Sequence, residues 1–169
     1  MGYSTMAPLC RKIVAMPLIT FEGSEGCGKS TQVKRLAARL EKCRIVAAVF
    51  REPGGTTIGE AIQHLLQHSE DNHAMTPETE LLLFEASRRQ LVGEKIQPAL
   101  RRGEWVICDR FFDSTTVYQG AARQLDLGLV KKLNAVAVGD CVPILPSCST
   151  SIGSLLNRVL GIEKKFAIE

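Results

Sequence analysis

Gly23-Ser24-Glu25-Gly26-Cys27-Gly28-Lys29-Ser30, followed by Thr31, fits the pattern G-x-x-x-x-G-K-[ST] at every position. It follows a short apolar run, Leu18-Ile19-Thr20-Phe21, and precedes Val33, Leu36, Ala37 and Leu40, which recur at helical spacing. Strand, glycine-rich loop and helix are therefore predicted in that order, the context that gives the pattern a physical meaning. Glycines let successive backbone N–H groups curl around phosphate oxygens, and the helix adds positive potential at its N-terminus. In such a loop Lys29 reaches the β- and γ-phosphates of a nucleoside triphosphate, and the Ser30 hydroxyl is a Mg²⁺ ligand.

Outward from the loop, strands and helices alternate. Ile45 to Phe50 is an all-apolar run ending at Arg51 and then Pro53-Gly54-Gly55, as expected of a strand covered on both faces of a sheet. Ile58, Ala61, Ile62, Leu65 and Leu66 return to helical spacing. After the polar stretch Ser69-Glu70-Asp71-Asn72-His73, Thr76-Pro77-Glu78 supplies a cap, a first-turn proline and an acidic first turn for a long helix through about Val92. A short helix at Pro98–Leu100 is closed by Arg101-Arg102-Gly103. The strand Trp105-Val106-Ile107-Cys108 runs into Asp109-Arg110, and Leu127, Val130, Leu133 and Val136 to Val138 mark a last helix. Such alternation predicts an α/β fold: a parallel sheet flanked by helices, with ligands at the carboxyl ends of the strands. Asp109, at a strand end, is the second expected Mg²⁺ carboxylate, and Arg51, Arg88 and Arg110 are expected to converge above the sheet.

Composition narrows the classes. The 169 residues, 45% hydrophobic and 23% charged, fit one domain with a single core. The net charge of +3 is scattered, which predicts neither a nucleic-acid nor a membrane partner. Apolar runs reach about six residues against the ~20 needed to cross a bilayer, and the N-terminus does not read as a secretory signal. Cys10, Cys27, Cys43, Cys108, Cys141 and Cys148 form no C-x-x-C pair, which favours reduced thiols and a cytoplasmic location. His64 and His68, four residues apart without a third ligand, read as a solvated helix face.

Five motifs in order, Gly23–Thr31, Arg51-Glu52-Pro53-Gly54-Gly55-Thr56, Phe84-x-x-x-Arg88, Asp109-Arg110 and Ser114-Thr115-x-x-Tyr118-Gln119-Gly120, resemble thymidylate kinase of the bacterial type. The resemblance implies a P-loop nucleoside-monophosphate kinase that phosphorylates dTMP to dTDP with ATP and Mg²⁺, and a homodimer. It implies catalytic roles for Lys29, Arg51, Asp109 and Arg110, with Arg51 and Arg110 on the acceptor phosphate. Phe84 would stack on thymine, Arg88, Thr115 and Gln119 would read the base, Tyr118 would crowd the ribose 2′ position, and Glu25 would lie near the 3′-hydroxyl.

The resemblance covers residues 16–143. Residues 1–15 carry no motif and read as an N-terminal extension, with Met16-Pro17 a plausible alternative start. Gly26 stands where some relatives carry a catalytic arginine, so the resemblance implies arginines in a mobile lid. Past Pro143 the family pattern would continue as a strand close to Asp-Leu-Thr-Phe-Leu-Leu-Asp, then the lid and final helices, whereas this chain reads Ile144-Leu145-Pro146-Ser147-Cys148-Ser149-Thr150-Ser151. Residues 144–169 are accordingly expected to be an atypical tail that leaves a sheet edge open, with Ile152, Leu155, Leu156 and Val159 able to form a replacement helix. A transition-state arginine is worth ~10³ to 10⁵ in rate, so a chain without one is expected to bind better than it catalyses, and a catalytically impaired nucleotide-binding remnant is the alternative reading.

The genetic code allows Ile144 to Ser151 to be written ATC TTA CCT TCC TGC TCG ACA TCG, and one G placed before that set would encode Asp-Leu-Thr-Phe-Leu-Leu-Asp-Ile. The match leads to the expectation that a one-nucleotide deletion near codon 144 shifted the frame. The gene's DNA is expected to open a frame encoding a lid when one base is restored there; if no single-base change does so, the deletion is refuted.

Overall fold

The computed structural model describes residues 17–69, 73–143 and 145–147. The extension at 1–15, the replacement helix and the expected lid lie outside these residues.

β1 (Leu18–Phe21), α1 (Lys29–Lys42), β2 (Ala47–Arg51), α2 (Thr57–His68) and α3 (Pro77–Leu91) follow in order. A π-helical turn, Val92–Ile96, links α3 to α4 (Gln97–Arg101) without a break. Then come β3 (Trp105–Asp109), α5 (Phe112–Thr115), a wider π-helical segment (Thr116–Ala122), α6 (Leu127–Val138) and β4 (Leu145–Ser147). The sequence carried no expectation for the helical run after Arg110.

All pairings are parallel, in the order β2-β3-β1-β4. Period-two alternation divides the core between the two faces. Leu18, Val106 and Cys108 pack with Leu91, Val92, Ile96, Phe111 and Val138 on one face. Ile19, Phe21, Trp105 and Ile107 pack with Val33, Leu36 and Leu40 of α1 on the other. Side-chain caps start three helices: Thr56 accepts from Gly59 N at 2.9 Å, Thr76 from Thr79 N at 3.3 Å and Asp126 from Leu129 N at 2.6 Å, each worth about 1 kcal/mol.

Two expectations are corrected. β2 is an edge strand and is less covered than expected: Ala48 and Phe50 pack on one core cluster and Ala47 on the other, but Val49 is 46% exposed and Val46, just before the strand, 67%. An apolar run cannot tell an edge from a centre, because that depends on neighbours elsewhere in the chain. The other β1 edge is not open, since Leu145–Ser147 pairs in parallel with Ile19–Phe21. Ladder bonds are made by main-chain groups, so Leu145–Ser147 can occupy the edge through its backbone, where even Pro146 is tolerated.

The register sets up the site. Phe21 and Arg51 both stand level with Asp109, so β1, β2 and β3 end together. Glu52 N bonds Asp109 O at 3.0 Å and Arg110 N bonds Phe21 O at 2.9 Å, which locks the three strand exits side by side. No helix of the described residues is long and apolar enough to cross a membrane.

Candidate active site

The loop between β1 and α1 is shaped by glycines. Gly28, the N-cap of α1, has φ +87°, and a Cβ on Gly23 would meet Cys27 Sγ at 2.9 Å. Lys29 Nζ turns back into the loop, donating to Gly23 O at 2.9 Å and Ser24 O at 2.5 Å, and lies 3.6 Å from Cys27 Sγ. No acidic side chain occupies the first turn of α1, so its positive end is not offset.

Ser30 Oγ donates to Asp109 Oδ2 at 2.7 Å, although the two are 79 residues apart in the chain. Among the described residues no group of three or more His, Cys, Asp or Glu could hold a metal alone. Two hard oxygens meeting at the loop fit a cation that takes its other ligands from phosphate and water, which is how Mg²⁺ binds.

Two hollows open above the strand ends. The smaller, about 290 Å³, is lined by Gly26, Lys29, Ser30, Arg51 and Asp109. The larger, about 510 Å³, is lined by Phe84, Arg88, Thr115, Tyr118 and Gln119. Glu25, Glu52, Pro53, Gln67 and Arg110 border both, so the hollows share a wall. Arg51 is braced from α2: NH2 donates to Glu60 Oε2 at 2.6 Å and NH1 to Gln63 Oε1 at 2.7 Å. Arg110 has φ +70°, a left-handed conformation that costs a non-glycine residue about 1 kcal/mol or more. That turn sends its side chain over the hollow, where NH1 meets Ser114 Oγ at 3.4 Å and the guanidinium stands 5.5 Å from the Tyr118 ring centre.

Arg88 lies beneath the larger hollow, 2% exposed. Nε donates to Glu52 at 2.8 Å, NH1 to Asn134 at 2.9 Å and NH2 to Thr115 Oγ1 at 2.8 Å, while NH1 also forms an ion pair with Glu85 at 2.9 Å. Burial works against its charge, but Glu52 and Glu85 outweigh it and hold the guanidinium above its ordinary pKa. The carboxylates show the opposite balance. Burial pushes Glu52 up to about 7 in spite of Arg88, and raises Glu85 and Glu22 as well. Glu22 accepts from Ser114 and its other oxygen is buried without a partner, as is Glu52 Oε1. Two carboxyl groups, Glu52 and Glu85, thus flank one buried guanidinium.

Every residue singled out from the sequence falls around these hollows or along the loop that leads into α1, Thr31 being exposed on the first turn of that helix. The three arginines do not form one cluster: Arg51 lines the loop side and Arg88 the buried floor, with Arg110 between them. Glu22, Glu52, Glu85, Asn134, Glu80 and Arg123 were given no role from the sequence. The spacing of Glu85 and Arg88 on one helix was a readable signal; Asn134, 46 residues from Arg88, had none.

The family model described as thymidylate kinase matches residues 21–165. A thymidylate kinase from Chlorobium luteolum is 52% identical over 126 residues, covering 75% of this chain and 58% of the relative. One from Geobacter sulfurreducens is 50% identical over 138 residues, covering 80% of this chain and 64% of the relative. The chain therefore spans less than two thirds of these relatives' length. The crystal structure of thymidylate kinase from Ehrlichia chaffeensis is similar at 36% identity with a TM-score of 0.68, over 78% of this chain and 71% of that one.

A raised carboxyl pKa makes stability fall with pH. Folded Glu52 holds its proton up to about 7 while the unfolded group releases it near 4.5. Its contribution is therefore full below about 4.5 and lost as pH rises through 7, up to about 3 kcal/mol. Thermal unfolding is expected to show wild type losing ground to Glu52→Gln between pH 5 and 8; a difference that does not change with pH would contradict this.

Proposed function

Since the chain belongs to the thymidylate kinase family, we propose that it transfers the γ-phosphoryl group of ATP to the phosphate of dTMP in the cytoplasm, giving dTDP and ADP for DNA precursor synthesis. The observation that carries this reading is the shared wall: a phosphate loop lines one hollow, an aromatic face and buried donors line the other, and Arg110 borders both.

In this reading the loop N–H groups from Gly23 to Ser30 and the Lys29 ammonium hold the β- and γ-phosphates. Arg51 and Arg110 take the dTMP phosphate. Two phosphates repel, so the acceptor oxygen can approach only when its charge is offset, and guanidinium groups do this with fixed geometry. Asp109 and Ser30 would hold Mg²⁺, which supplies further charge neutralisation at the β- and γ-oxygens when bound. Phe84, half-buried in the hollow, offers its ring to the base. Arg88, Thr115 and Gln119 meet the base edge, Tyr118 crowds the sugar where a ribose would carry its 2′-hydroxyl, and Glu25 stands near the 3′-hydroxyl.

Positioning and charge do most of the work in phosphoryl transfer, so removing the lysine from the loop should cost about 10²-fold or more in turnover. A coupled assay for ADP is expected to show turnover that requires dTMP and Mg²⁺ and collapses in Lys29→Ala. Binding of dTMP with no dTMP-dependent ADP would leave a nucleotide-binding remnant in place of a kinase.

A further inference from the structure

Glu80 stands on α3 one turn before Phe84, and its two oxygens face different partners. Oε1 accepts from Gln119 Nε2 at 2.7 Å, and Oε2 accepts from Arg123 NH2 at 2.8 Å. The Glu80 side chain is 17% exposed and Gln119 only 4%, and all three residues line the larger hollow. An amide side chain can be read from either end: its oxygen accepts and its NH₂ donates. A carboxylate paired with arginine only accepts, so Gln119 must turn its NH₂ toward Glu80 and keep its oxygen on the opposite side.

Arg88, the neighbouring reader, donates three hydrogen bonds, to Glu52, Asn134 and Thr115, and forms an ion pair with Glu85. NH2 gives one of its two N–H groups to Thr115, which leaves its other N–H for a ligand. The hollow thus pairs an acceptor, Gln119 Oε1, with a donor on Arg88. A pyrimidine with a 4-keto group presents the complement, an N3–H donor beside an oxygen acceptor. A 4-amino pyrimidine presents the reverse, an N3 acceptor beside an NH₂ donor.

We propose that Glu80, held by Arg123, is a positioning residue that fixes the polarity of the Gln119 amide and so makes the hollow select a 4-keto over a 4-amino pyrimidine monophosphate. The proposal deepens the kinase reading and rests on it. Glu80 meets the base only through Gln119, so its removal acts on discrimination rather than on phosphate binding.

Glu80→Gln keeps the shape of the side chain and replaces one oxygen with NH₂. Arg123, carrying charge, claims the remaining oxygen. The new NH₂ then faces Gln119, whose amide must turn over and point its own NH₂ at the base. Titration calorimetry with dTMP and dCMP on the full chain reads the result. Wild type is expected to prefer dTMP, and in Glu80→Gln the ratio of the two affinities should fall by about tenfold or more, since an unpaired or opposed polar edge is rejected strongly. Adding Arg123→Ala to Glu80→Gln releases the oxygen to accept from Gln119 again and should restore part of the ratio. An unchanged ratio in a variant that still binds dTMP overturns the proposal, as does an equal loss of both ligands, which is what a purely structural role would give. A wild-type chain that binds neither nucleotide would instead overturn the kinase reading beneath it.

Discussion

A single buried guanidinium organises this molecule. Arg88 joins the end of β2 through Glu52, its own helix through Glu85, α5 through Thr115 and α6 through Asn134. Taking such a charge out of water costs several kcal/mol, which only well-aimed partners offset, and removing one partner from a buried pair typically costs about 3–5 kcal/mol. The four elements must therefore arrive in one arrangement or leave the charge uncompensated. That requirement gives the floor of the larger hollow its shape. Around it Glu22 and Glu52 each keep one buried oxygen without a hydrogen-bond partner, as Glu85 does with both of its oxygens, and burial raises the pKa of all three.

The second constraint is the level ending of three parallel strands. Because Phe21, Arg51 and Asp109 share one register, the phosphate loop, the β2 exit and the β3 exit open onto the same edge of the sheet. Ser30 reaches Asp109 across 79 residues of chain for this reason alone. Arg110 then leaves β3 in a left-handed turn that sets its side chain between the two hollows. Fold and site are thus linked through backbone register, while the side chains supply charge and shape.

The loop was legible because its demands are local: glycines where the backbone must curl, a lysine and a serine at fixed offsets, an apolar run before and a helical period after. Strand and helix order was legible for the same reason. The motifs that resemble a known family singled out Phe84 and Arg88 on the long helix α3, and Thr115, Tyr118 and Gln119 in a run after Arg110 whose helical form was not foreseen. What could not be read was the burial of Arg88 and its bonds to Glu52, Thr115 and Asn134, 36, 27 and 46 residues away. A charged side chain is ordinarily placed at the surface, and nothing local marks the exception. The exposure of Val49 on β2 and the pairing of Leu145–Ser147 with β1 were likewise decided by neighbours distant in the chain. Glu80 and Arg123 were missed because their task is to orient Gln119, and a residue that acts on another leaves no pattern of its own.

The central claim is that the two hollows are the two halves of one phosphoryl-transfer site. A crystal structure of the full chain with ADP and dTMP bound together tests it most directly. The ADP phosphates are expected on the loop at Gly23–Ser30, the dTMP phosphate between Arg51 and Arg110, and the thymine ring on Phe84 with its edge against Arg88 and Gln119. Nucleotides lying outside these hollows, or a dTMP phosphate turned away from Arg110, would contradict it.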